Sequence, residues 1–212
     1  MHAVTIGQPE QTQGAEGDRL DLQDVADDVE LELKATRFMR ALTVFERELP
    51  EGYAWMGSTA RVVVPVRGEG GQWTSGSTPK LPGMIFLSLL DTLQIIEGLV
   101  HEAAHNHLFI AEVSGLLVDP SHTEFHTSPL RSDLRPLRGV LLAYHALAYI
   151  CAFYAEIMRR GVKIAGRERT YNAMREKLKE AEETVLSQEQ HLTDEGRHFL
   201  QLTIQVGKYS DS

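Results

Sequence analysis

Two histidines four residues apart, His101 and His105, sit in an apolar run with Leu99, Val100, Ala103, Ala104, Leu108 and Phe109. This run restricts the fold more than any other feature. Apolar residues at that density predict a largely buried helix, in which positions four apart share a face. Two imidazoles and the adjoining Glu102 are then withdrawn from water together, which is costly unless they are hydrogen-bonded or ligated. Side-by-side imidazoles on one helix face are the arrangement a single metal ion needs. The spacing His101-Glu102-Ala103-Ala104-His105 is also that of hydrolytic zinc enzymes, where the glutamate acts as general base on metal-bound water. The plainer reading is a pair of hydrogen-bonded core histidines.

A mononuclear site needs a third protein ligand. A helix expected over about 136–160 offers His145 among Leu141, Leu142, Ala146, Leu147 and Ile150. Glu156, three turns further along nearly the same face, is the second choice. A lone histidine on an apolar face is more often a satisfied core residue, so the third ligand stays open. Glu97, one turn before His101, either orients that imidazole as an acceptor or is simply solvated. His107 points away from the His101/His105 face. His122 and His126 fall in a polar stretch, as a lid or as ordinary loop residues.

The run Ser128-Pro129-Leu130-Arg131-Ser132-Asp133-Leu134-Arg135-Pro136 places Arg131 and Arg135 just before the 136–160 helix. A guanidinium near a metal can clamp a carboxylate bidentately. The alternative is a surface pair of Arg131 with Asp133.

The rest of the chain supplies the frame. Its 212 residues fit one domain with a filled core, and 42% hydrophobic with 24% charged residues is ordinary for a globular protein. A net charge of -9 gives no basic footprint for nucleic acid. The single cysteine, Cys151, excludes an intramolecular disulfide and a cysteine-based zinc cluster, and suits a reduced, cytoplasmic protein. The polar N-terminus is no signal peptide, and 1–17 reads as a mobile tail ahead of a single catalytic domain over 18–212. No stretch appears long enough to span a bilayer; 139–153 comes closest.

Helical spacing runs from about Leu20 to Leu49, ending at Pro50. Residues 60–66 read as a strand, on an edge because of Pro65. Trp73 to Thr78 is a candidate hairpin partner for it, and 82–88 a further buried strand. Asp91 caps a helix to about Val113, and a polar loop covers roughly 114–133. Gly161 closes the helix begun near Pro136. Two amphipathic helices follow, near 167–189 and 194–208, with Thr193 capping the second. The fold class is therefore α+β and predominantly helical: a metal-binding helix packed on a long apolar helix, with a small hairpin or sheet from about 60–88.

Several of these segments together resemble a known family. They are Gly57-Ser58-Thr59, the Ser75–Gly83 turn, Glu97 through His105, and the Ser128 to Leu142 stretch. The chain is similar over roughly 57–160 to the HExxH-type peptide-modifying proteins of bacterial pathways for ribosomally made, post-translationally modified peptides. The resemblance implies an iron(II)- and 2-oxoglutarate-dependent hydroxylase acting at a β-carbon of a residue in a precursor peptide. It makes His101 and His105 iron ligands and Arg131 or Arg135 the 2-oxoglutarate clamp, and it moves Glu102 from general base to a supporting role. The partner it implies is the precursor peptide; charge and the length of the apolar runs point to neither nucleic acid nor membrane, and a homodimer is left open. The competing expectation is a zinc metallopeptidase or other zinc hydrolase with Glu102 as base, and a third is a peptide-binding scaffold with a structural metal.

Overall fold

The computed structural model describes residues 28–67, 71–162 and 167–209, so the tail read over 1–17 lies outside the described residues. Among the described residues the protein is a mostly helical α+β fold with six α-helices, a mixed three-stranded sheet and a two-stranded hairpin. It divides into two compact units, the first ending at Asn106 and the second beginning at His107.

In the first unit, α1 (Asp28–Glu48) buries Phe38, Ala41 and Phe45 at helical spacing. Pro50 ends it, as the sequence predicts, but also begins a second helix, α2 (Pro50–Thr59). The fixed φ of proline suits a first helical position. Gly52 and Gly57 are poor helix formers, and so this element has no clear sequence signal.

The sheet has the order β1-β3-β2, with β1 at Val62–Pro65, β2 at Ser75–Gly76 and β3 at Met84–Leu87. Pro65 does sit on an edge strand. The pairing, however, is not the expected hairpin. β1 runs parallel to β3, and Ser75 and Gly76 pair antiparallel with β3 instead. Ile85, Phe86 and Leu87 are all buried, and the most apolar strand takes the centre, where both neighbours cover it.

The helix α3 (Thr92–Ala111) begins at Asp91, whose Oδ1 accepts from the backbone N–H of Leu93 and of Gln94, both at 3.0 Å. At Gly98 an added Cβ would fall 2.5 Å from Leu87 Cδ1. The missing side chain lets the helix lie directly on β3.

In the second unit, part of the stretch expected as a loop is a hairpin of β4 (Phe125–Ser128) and β5 (Arg131–Pro136). Pro129 and Leu130 form its turn, with proline suited to the first central position. These strands are mostly polar and exposed, so they lack the β-branched alternation that marked β1. α4 (Leu137–Arg159) is the central helix, with fourteen buried residues, and Gly161 at φ 69° closes it. By length and composition α4 does suffice to cross a membrane, contrary to the reading of 139–153; 72% of its apolar window is buried within the protein.

α5 (Arg167–Ser187) and α6 (Asp194–Tyr209) pack on α4. Thr193 caps α6 as expected: its hydroxyl accepts from Gly196 N–H at 3.0 Å and donates to Leu116 O at 2.6 Å. Cys151 is buried in α4.

Candidate metal centre

On α3, the ligating atoms of His101, Glu102 and His105 lie within 4.8 Å of one another. The two imidazoles meet edge to face, with centroids 4.5 Å apart. His101 is partly open to solvent, with 29% of its side chain exposed, whereas Glu102 is 2% exposed. Glu102 Oε1 lies 3.9 Å from His101 Nε2. The sequence placed the imidazoles together correctly, and the structure adds what holds the carboxylate. Ser75 Oγ donates to Glu102 Oε1 at 2.6 Å, and Ser77 Oγ donates to Oε2 at 2.7 Å. A buried carboxylate needs such donors. The two hydroxyls come from β2 and the residue after its end, so the short strand doubles as a clamp on Glu102.

Asn106 completes the support. It is fully buried one turn after Glu102 on the same face. Its Oδ1 accepts from Gly83 N–H at 2.5 Å, and its Nδ2 donates to Glu102 O at 3.0 Å. Gly83 sits at φ 86°, so the amide fixes the backbone turn entering β3. Ser75, Ser77 and Asn106 were not singled out in the sequence as functional. Asn106 had a signal, because Glu102 and Asn106 form a second polar pair at helical spacing beside His101 and His105.

His145 lies in a different setting. It is buried, and both ring nitrogens are engaged: Nε2 is 3.0 Å from His107 Nδ1, and Nδ1 is 2.8 Å from Thr203 Oγ1. The Thr203 hydroxyl donates its one proton to Phe199 O at 3.0 Å, so it must accept from His145 Nδ1–H. Burial, and then the neighbouring His107, holds the His145 pKa well below the ordinary histidine range, so the ring is neutral. Its Nε2 therefore accepts from His107 Nδ1–H. No lone pair of His145 is left for a metal unless this chain breaks.

Glu156 is likewise committed. It pairs with Arg159 and Arg160 and accepts from Tyr209 Oη at 2.9 Å. Arg159 above all holds its carboxyl down to about 2.

Arg131 and Arg135 flank Asp133 on one side of β5, as alternate residues of a strand do. Their Nε atoms lie 3.4 and 3.2 Å from Asp133 Oδ1 and Oδ2. A hydrogen bond to its own backbone N–H, and then the two arginines, hold the Asp133 carboxyl below its usual range. Glu97 is half-buried on α3, one turn before His101. His122 and His126 come together with His191 in the second unit.

No protein-family model matches the chain, and no curated protein matches it. The site therefore rests on its own geometry: a helix-borne group of two histidines and one carboxylate able to hold a metal ion.

Proposed function

We propose that the chain is an iron(II)- and 2-oxoglutarate-dependent hydroxylase acting at a β-carbon in a ribosomally made precursor peptide. The observation that carries this reading is the donor set. Two imidazoles and one carboxylate within 4.8 Å are the ligand types of non-haem iron oxygenases, which leave coordination positions for co-substrate and dioxygen. His101 and His105 would hold the iron. Glu102, clamped by Ser75 and Ser77, would complete the set or fix the ligands beside it. With iron held by these residues, dioxygen would be the oxidant: one of its atoms would enter the peptide C–H bond as hydroxyl and the other would pass to 2-oxoglutarate, which would leave as succinate and carbon dioxide.

The chain's own residues supply position and shielding. The buried carboxylate is held at both oxygens, and Asn106 ties α3 to the entry of β3. The same reading gives the 2-oxoglutarate carboxylate to Arg131 or Arg135, either of which would exchange Asp133 for the ligand. The resemblance of the Ser128 to Pro136 run to HExxH-type peptide-modifying proteins supports that assignment.

The test is turnover with iron(II), 2-oxoglutarate and peptides encoded beside the gene. Succinate formation and a peptide mass gain of one oxygen are expected. Turnover with zinc but not iron(II) would overturn the proposal.

A zinc hydrolase is the second reading, favoured by Glu102 directly following His101, with its Oε1 3.9 Å from His101 Nε2. Glu102→Gln separates the two. A hydrolase loses nearly all peptide cleavage, whereas the oxygenase reading predicts no cleavage by either chain.

A further inference from the structure

We propose a second, independent metal site for a divalent transition ion, built by His122 and His126 with His191 as its back plate. The Nε2 atoms of His122 and His126 are 2.8 Å apart, and their rings are within 11° of parallel. Two neutral imidazoles meeting this way share one proton between their lone pairs. An ion can replace that proton. The donor ring moves its proton from Nε2 to Nδ1, and both Nε2 lone pairs then face the metal, with no net change in protonation. Tetrahedral zinc at about 2.0–2.1 Å from each nitrogen sets them about 3.3 Å apart, so the pair must open by about half an ångström and swing toward a common point. Both side chains are half-exposed, which leaves room for that swing.

The convergence is fixed by backbone contacts. Val118 and Leu192 form an isolated β-bridge, and Asp119 N–H donates to His191 O at 2.9 Å. His122 N–H donates to Asp119 O at 3.0 Å, which closes the turn that carries His122. His126 is held in β4 opposite Arg135. Three separate segments thus deliver three imidazoles. His191 stacks on His122, with centroids 4.1 Å apart, and restrains that ring. Asp119 and Glu124 add negative charge near the histidines. Imidazole donors select zinc, nickel or copper(II) over magnesium or calcium, with water filling the remaining positions.

The test is zinc titration by calorimetry of the full chain carrying His101→Ala and His105→Ala. One equivalent should still bind, and adding His122→Ala or His126→Ala should weaken it at least about tenfold, with a smaller loss for His191→Ala. No zinc binding by the doubly substituted chain, or binding indifferent to His122→Ala and His126→Ala, overturns the proposal. The intact chain gives a second measurement that needs no variant to fold. The imidazole nitrogen resonances of His122 and His126 should shift as zinc is added beyond the first equivalent, and unshifted resonances contradict the site.

Discussion

Within the single helix α3, His101 and His105 meet one fate and His107, two residues on, meets another. The first pair is half-buried, adjoins a clamped carboxylate and has the donor types a metal requires. His107 donates into a closed chain through His145 and Thr203 to Phe199 O, a chain of defined proton positions. Identical side chains on one helix are thus divided between a candidate metal site and packing by what surrounds them. Two imidazoles grouped with a carboxylate make a candidate metal site, and one locked into a hydrogen-bonded chain makes a core residue.

The largest expected effect strikes the clamp. Replacing both Ser75 and Ser77 by alanine leaves the buried Glu102 carboxylate without its hydroxyl donors, and should cost about 3 kcal/mol or more in urea unfolding. A change under about 0.5 kcal/mol would mean that the carboxylate is solvated by other means.

His145→Leu probes the other set. It strands the His107 N–H and should cost about 1–3 kcal/mol, while iron bound at His101 and His105 stays at the wild-type level. Loss of that iron would restore His145 as a ligand.

The same residue sets a pH dependence. Its folded pKa lies below the ordinary 6.5. As pH falls below about 6.5 the unfolded chain gains a proton that the folded chain refuses, so stability is full above that pH and declines below it. Urea midpoints between pH 7.5 and 5.5 should fall in the wild type and fall less in His145→Leu.

Glu156→Gln gives the smallest effect. The depressed Glu156 carboxyl contributes stability above its ordinary 4.5 that fades toward about 2, and the variant should flatten only that acid range, with metal content unchanged.

The sequence made the metal helix legible because a repeat of four residues maps directly onto a helix face. Asp91 and Thr193 were equally legible, since caps act within three residues of themselves. What it hid is long-range. β1 and β2 do not pair, because both prefer the more apolar β3. Ser75 and Ser77 reach Glu102 across more than twenty residues of sequence. The partners of His145 come from α3 and α6, and no spacing rule points to either. The pairing of Arg131 with Asp133 was legible from their closeness in sequence, but its residence on a strand was not, since β4 and β5 are polar.

The most direct test is anaerobic iron(II) binding, measured by equilibrium dialysis on chains carrying His122→Ala so that the surface pair does not contribute. The account predicts one equivalent bound, and none once His101→Ala and His105→Ala are added. A folded chain that keeps its iron after both substitutions would contradict the metal centre on α3.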